Sequence, residues 1–582
     1  MIRQGPKIFF TLVMLAVLGA CSGDDSTTIN IEAPSNNGGD SSGGDSSGGD
    51  SGGDSGGETP AECPAGTSEV SEGLCELPAT VDSDLTLTSG VSYLMTDRVT
   101  VGNGNGQLET NGDGTLDDGS AVQSVTLTIE AGVEVRGKTG TFANLLITRG
   151  SKIMAMGTAD APIVFSSDDV GYDGSGEWGG LIIHGYAPHN ECAVGGSYCD
   201  IDSEGESGFA GGYDPDDSSG VLRYVVVAEG GYEFSTGNEI NGISLVGVGR
   251  ATEMDYIQVH GNSDDGIEFY GGNVNVKHGV FTNNNDDSVD WDEGYQGNLQ
   301  YIIVKQGASK GEAFEMDTEG SSVGFLSKPT LANVTVINDK VADRATYSLN
   351  FKKRSGGFFH NTIVTVSPES ETALTTCVNV DGSGSEGLVG SALVLNNWIQ
   401  DCALGAGDRG TLANVSGLDN GTINAVAAEL DNNFASQASA AVLASPIDWD
   451  AINSAFSESV ADASYLDATS YIGAVNPDGS DVWWAGWTVE GSVGNPTVPE
   501  ATCPPSTETL DSGLCLLPAT VDADLTLNGG VDYLMEGRVT VGNGNDQLGV
   551  NLDGTLPDGS AVSNVTLTIE AGVKVYGKTG TF

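Results

Sequence analysis

Basic residues are scarce in this chain: 22 Lys and Arg stand against 81 Asp and Glu, a formal net charge of −59 over 582 residues. Only eight of those acids lie between Ser22 and Pro60, so the remainder of the chain is itself acidic. Such a charge disfavours nucleic acid and anionic membrane surfaces as partners and favours cations or cation-bridged anionic glycans. Histidine is rarer still, with five residues scattered along the chain; no histidine metal site and no His-dependent triad stands out. No convincing amphipathic helix precedes Ala425. The apolar run over residues 8–18 is too short for a stable membrane-spanning helix.

What is present begins with Arg3 and Lys7 ahead of that run, followed by Leu18, Gly19, Ala20 and Cys21. Residues 1–21 resemble a bacterial lipoprotein signal peptide with its lipobox. The resemblance implies cleavage before Cys21, acylation of its thiol and amine, and membrane contact through that lipid anchor only. Ser22, where an aspartate would signal inner-membrane retention, implies the outer membrane, with the protein facing the cell exterior. Residues 22–60 are Gly, Ser and Asp in near repeats and read as a disordered, self-repelling tether. GDSGG occurs there twice, the string around the nucleophile of trypsin-like proteases, but a low-complexity tether offers neither a rigid scaffold nor a positioned base.

Nine cysteines become eight once Cys21 is lipidated, and they fall into close pairs: Cys63 with Cys75, Cys192 with Cys199, Cys377 with Cys402, and Cys503 with Cys515. An even count in an exported chain favours disulfides. Zinc is the rival, but CxxC spacing and neighbouring histidines are missing.

Residues 61–142 recur at 501–582 without gaps and with roughly 70% identity, so the repeating unit is a whole domain. The expected organisation is a β-helix domain at 61–490, a linker at 491–500 and the start of a second, truncated copy at 501–582. The second copy stops where the first is about to enter its next strand, which implies a longer natural protein or an abrupt ending.

Residues 254–317 organise the first domain. They read as successive coils, each a β-rich run, a polar turn and an acidic motif ending in an apolar residue. Asp264, Asp265 and Glu268 align with Asp286, Asp287 and Asp290 at an offset of 22, and Glu315 aligns with Asp290 at an offset of 25. Ile129, Ile147, Phe165 and Ile183 recur at offsets of 18. Short strands at such periods, with Gly and Asn at the corners, indicate an all-β, right-handed parallel β-helix. A sandwich is the runner-up, weakened by the rarity of Asn-Gly hairpin signals. LTIEAGVEVRG, ITRGSKIMAMGTADAPIVFSS, EWGGLIIHG, VLRYVVVAEGG, GISLVGVG, DDGIEFYGG and the closing YIGAV and WWAGWT resemble a broad group of bacterial right-handed parallel β-helix surface proteins. The resemblance covers most of residues 80–490 and implies the fold and export. Lyases, hydrolases and adhesins share the architecture, so activity has to come from the site.

Aligned strands sit about 4.7 to 4.9 Å apart, so the acids would form a column of carboxylates at that spacing. At an effective dielectric near 20, each such pair repels by about 3 kcal/mol. Calcium, which takes six to eight oxygens, is the simplest remedy, and Asp264, Asp265, Glu268, Asp286, Asp287, Asp290 and Glu315 are its candidate ligands, with Asp292, Glu293 and Asp317 flanking. The alternative is a solvated acidic edge. A second candidate calcium loop is NGDGTLDDG, with Asn111, Asp113 and Asp118; it recurs at Asn551, Asp553 and Asp558, lacks EF-hand spacing, and competes with an ordinary Asp/Asn turn.

Placing Asn350 and Phe351 beside Glu315 and Met316 puts Lys352, Lys353 and Arg354 just beyond the column. Calcium-dependent pectate lyases resemble this arrangement, which makes Lys352 and Arg354 the candidate bases for proton abstraction. A structural salt link is the alternative. Lys352 and Lys353 would point to opposite faces of a strand, and surrounding carboxylates would raise a lysine's pKa.

Trp483, Trp484 and Trp487 read as a core cap or a glycan platform. The Gly/Asp-rich stretch between Gly185 and Val221 reads as a projecting loop pinned at Cys192 and Cys199, and the Ala/Leu-rich stretch 425–463 as a cap on the last coil. The function expected is a surface-anchored, calcium-stabilised β-helix for adhesion or extracellular scaffolding. Its partners would be an extracellular glycan or another cell-surface protein. The alternative is a calcium-dependent polysaccharide lyase acting on acidic glycans.

Overall fold

Runs of Val, Ile and Leu bounded by Gly and Asn form short strands that pair with the corresponding run of a neighbouring coil. The computed structural model describes residues 62–401 apart from short stretches, the longest being 319–324, 339–346 and 367–376. Beyond these it describes 423–425, 449, 465–476, 482–493 and much of 503–582. Cys21, the tether, Cys402 and nearly all of the 425–463 stretch lie outside the described residues. Among the described residues, two sheets of sixteen and ten strands run between Ser68 and Ala425. Within them every pairing is parallel except the first, where Ser68–Ser71 runs antiparallel to Leu74–Glu76. Parallel pairing excludes the sandwich, and parallel crossovers take the right hand.

The core lies between the sheets. On the ten-stranded sheet, Ile147, Ile183, Leu245, Phe269, Trp291 and Met316 stand in register from coil to coil, all essentially buried. The 18-residue spacing of the sequence is corrected here. Ile147 and Ile183 pair with each other at an offset of 36, whereas Ile129 and Phe165 belong to the other sheet. Eighteen residues carry the chain from one sheet to the other, and apolar positions recur on both.

From Gly220 onward each long strand bends at one left-handed residue. Tyr224, Tyr256, His278, Tyr301, Asn333, Asn361 and Asn397 occupy this corner with φ between 50° and 59°. A non-glycine residue there costs about 1–2 kcal/mol. Stacking offsets it: Tyr224 on Tyr256 at 4.3 Å, Tyr256 on His278 at 4.2 Å and His278 on Tyr301 at 4.9 Å between centroids. Where the aromatics stop, amides continue, with Asn397 donating to Asn361 at 3.0 Å.

The segments 465–476 and 482–493 lie along this ladder. Gly473 N–H donates to the Asn361 carbonyl (2.8 Å), the Gln258 amide donates to Ser492 (2.9 Å), and Trp487 meets Tyr224 edge-on at 5.7 Å. Trp484 and Trp487 are therefore buried against the flank of the helix, along the coils instead of across the domain's end.

The excursion after Gly185 folds back onto the coil instead of projecting. Ile201–Ser203 pairs antiparallel with Gly208–Ala210, and Cys192 is bonded to Cys199. The fully buried Arg149 guanidinium donates to the carbonyls of Gly104, Gly106, Cys199 and Gly211 and pairs with Asp200 at 3.1 Å. Cys63–Cys75 and Cys503–Cys515 are also closed, and Cys377 is disulfide-bonded. In the second copy, Cys515↔Tyr533, Thr520↔Thr540, Leu525↔Leu567 and Tyr533↔Val575 repeat the registers of Cys75↔Tyr93, Thr80↔Thr100, Leu85↔Leu127 and Tyr93↔Val135.

Candidate functional site

The alternation that turns Phe269, Trp291 and Met316 inward turns their neighbours outward. Ser244, Glu268, Asp290, Glu315, Asn350 and Asn379 form one registered column on the outer face of the ten-stranded sheet. The offsets of 22 and 25, and the longer step of 35 to Asn350, are each one coil.

Outward here does not mean wet. Glu268 and Asp290 are each 8% exposed, because the preceding turns stack beside them and bring in Asp265 and Asp287, which are 7% and 4% exposed. Several of the acids find partners. Asp265 accepts from the Asp287 N–H at 2.9 Å, and Asp287 accepts from the Glu312 N–H. Glu268 accepts from the Asn241 amide and the Tyr270 hydroxyl. Lys352 pairs with Glu315, and Lys353 pairs with Asp317 at 3.0 Å.

Asp265, Asp287 and Asp290 are left as a buried trio, each offering an oxygen within 4.8 Å of the others. Among the described residues no lysine or arginine forms an ion pair with any of the three, and Asp290 Oδ1 is buried without a hydrogen-bond partner. Asp264 and Asp286 extend the group on one side through Asp265; Glu312 and Glu315 extend it on the other through Asp287. Burial first, and then the charge of neighbouring carboxylates, raises Asp265, Asp287 and Asp290 well above the ordinary aspartate range and raises Glu312 as well. At 4.8 Å and an effective dielectric near 20, each ionised pair within the trio repels by about 3.5 kcal/mol. The trio therefore holds protons or a cation. A hard-oxygen donor set with an unsatisfied buried oxygen fits calcium.

The candidate bases lie otherwise than a strand would place them. The strand Leu349–Phe351 ends before Lys352, and Lys353 and Arg354 take left-handed φ of 44° and 66°. Both lysines consequently turn onto the acids, and the expectation that they face opposite ways fails because the strand has stopped. Burial alone would depress the Lys352 ammonium, but the hydrogen bond and charge of Glu315, with Asp290 and Asp317, raise it above the ordinary lysine range. Arg354 is exposed, its carbonyl accepts from Thr318 at 3.2 Å, and it forms no ion pair among the described residues.

Asn111, Asp113 and Asp118 are each engaged in local hydrogen bonds. Asp113 accepts from the Thr115 N–H (3.0 Å) and hydroxyl (2.6 Å), Asp118 accepts from Ser120 N–H (2.8 Å), and the Asn111 amide donates to Thr115 and to the Leu116 carbonyl. These are the bonds of Asp/Asn turns. Asn551, Asp553 and Asp558 lie outside the described residues.

Another constellation has the look of a nucleophile and base: His184 Nε2 lies 3.0 Å from Ser203 Oγ and 3.2 Å from Ser207 Oγ. Complete burial, with the charges of Arg149 and Arg98, lowers the imidazole to about 3. It cannot take up a proton near neutrality.

Sequence reasoning missed Glu312, Asn241 and Tyr270. Glu312 had a signal, because Asp265 and Glu268, Asp287 and Asp290, and Glu312 and Glu315 share one three-residue spacing. Asn241 and Tyr270 had none beyond their neighbourhood. Residues 107–488 match the family model described as a pectate-lyase like beta helix domain. No curated protein and no solved structure matches the chain.

Proposed function

We propose that this chain, which belongs to the pectate-lyase-like β-helix family, is a surface-anchored, calcium-stabilised scaffold that holds acidic glycan without cleaving it. The observation that carries the reading is the trio Asp265, Asp287 and Asp290, buried and mutually close, with Asp290 Oδ1 unsatisfied. These three would hold the ion, with Asp264, Asp286, Glu312 and Glu315 around them. Calcium would neutralise the column and offer its remaining coordination positions to a uronate or another carboxylate. Anchoring would run through Cys21 and the tether, presenting the column outside the cell to a glycan or to another surface protein.

Binding is favoured over cleavage because Lys352 is committed to Glu315 and its pKa is raised, opposite to what a base needs. The lyase reading keeps one supporting observation, the exposed Arg354, which has no ion-pair partner among the described residues. An acidic glycan array with calcium and with chelator, run beside an ultraviolet assay for unsaturated uronate products, tests both readings. Calcium-dependent binding without product is the expected result. Sustained calcium-dependent absorbance on polyuronate, abolished in Arg354→Ala with folding intact, would replace the scaffold by the lyase.

A further inference from the structure

The turns that carry Asp264 and Asp286 border a notch of about 270 Å³ on their far side, against the loop that holds Tyr172 and Asp173. We propose that this notch is a subsite for a single neutral pyranose ring of the bound glycan; the inference rests on the glycan-holding reading and adds a second recognition point to it. Three features argue for a sugar.

The frame is fixed. The His260 ring is buried, with Nδ1 2.8 Å from Thr282 Oγ1, and the Asn285 amide donates to Ser175 Oγ at 2.9 Å, tying the loop to the turn that continues into Asp286. Burial also lowers the His260 pKa, which favours the neutral ring.

The groups facing the opening are uncommitted. Asn283 stands exposed at φ 57°, and among the described residues neither its amide nor the Asp173 carboxylate has a hydrogen-bond partner. Sugar hydroxyls both donate and accept, so an amide beside a carboxylate suits them. Tyr172, 38% exposed, stands at the rim. The volume falls below the range of about 300–1,000 Å³ usual for drug-sized ligands, so the notch takes one ring and not a chain.

The surroundings select against charge. Asp169, Glu177 and Glu229 lie together behind the loop, and Glu229 accepts from the Gly174 N–H at 3.2 Å. Asp264 and Asp286 stand on the column side. A uronate entering the notch would meet carboxylates on both sides, whereas a neutral ring would not. The glycan that suits the whole surface therefore alternates acidic residues, for the column, with neutral ones.

The test is titration calorimetry of the full chain, in chelator, with neutral glucan-, mannan- and galactan-derived tetrasaccharides as separate arms. Saturable binding of at least one is expected, weakened about tenfold or more by Asp173→Ala, which removes one recognition group. Asn283→Gly, which keeps the left-handed backbone, should weaken it likewise. Thermal melting with and without calcium on the same variants separates the two sites, because the calcium-induced shift should be the same as in wild type. No saturation in any arm, or equal affinity in wild type and variants, overturns the notch and leaves the column standing. Binding in the notch without any calcium-induced shift would retain the subsite and remove the calcium reading.

Discussion

Replacing Asp290 by Asn should change the protein's stability in opposite directions with and without calcium. Asn keeps the shape of the side chain and removes one charge from the trio. Each ionised pair repels by about 3.5 kcal/mol at 4.8 Å, and Asp290 takes part in two such pairs. The folded trio already relieves part of this by retaining protons, so about 1–3 kcal/mol of net stabilisation is expected in chelator at pH 8. Unfolding entropy of about 2.1 cal/mol/K per residue over roughly 400 residues converts each kcal/mol into about 1 °C, so Tm should rise by about 1–3 °C. In millimolar calcium the variant lacks a ligand. Wild type gains about 2.7 kcal/mol at a hundredfold excess over Kd, and the variant should lose most of that gain. Melting curves followed by far-ultraviolet circular dichroism, for both proteins in both buffers, would show the crossing. A variant less stable than wild type in chelator as well as in calcium would mean that the Asp290 carboxylate has a structural partner and that the repulsion argument is wrong.

Other outcomes follow from the same geometry. The raised pKa values of Asp265, Asp287 and Asp290 mean that, without calcium, the folded state holds protons the unfolded state has released. Their stabilising contribution is complete below the unfolded pKa and is lost as pH rises through the folded values; in chelator, Tm should therefore climb as pH is lowered from 8 to 6, and calcium should flatten the slope. A Tm that is flat or falls over that range in chelator would contradict the shifts. Arg149→Met leaves four carbonyls without their donor and Asp200 with only the Leu108 and Glu109 N–H groups, and should cost about 3–5 kcal/mol, with new thermolysin cuts in residues 185–219; unchanged melting and cleavage would show that the excursion is held without the guanidinium. Cys63→Ser should cost about 2–4 kcal/mol and speed amide exchange in Ser68–Ser71 and Leu74–Glu76, and unaltered exchange there would deny the hairpin its role as cap of the first coil.

The acid column was legible in the sequence because a strand places alternate residues on one face and successive coils differ little in length near it. Those two regularities are enough to align Glu268, Asp290 and Glu315, and the strand registers match them and extend the column to Asn350 across a longer coil. The 18-residue apolar spacing misled for the same reason that it was visible: both sheets bury Val and Ile, so the pattern repeats twice per coil. Lys352 and Lys353 were placed by strand rules one residue beyond the strand's end, where left-handed φ takes over. The flank seal formed by residues 465–476 and 482–493 leaves no local trace. Its contacts, such as Gln258 with Ser492, join residues 234 positions apart in the chain. Asp169, Glu177 and Glu229 likewise meet only through folding.

The central claim is that the folded trio binds calcium, and the most direct measurement is a crystal structure of the full chain grown in millimolar calcium, with anomalous data. The account predicts an anomalous peak among Asp265, Asp287 and Asp290, with carboxylate oxygens at about 2.3–2.6 Å. An ordered, ion-free trio under those conditions, with its carboxyls hydrogen-bonded to one another, would contradict it.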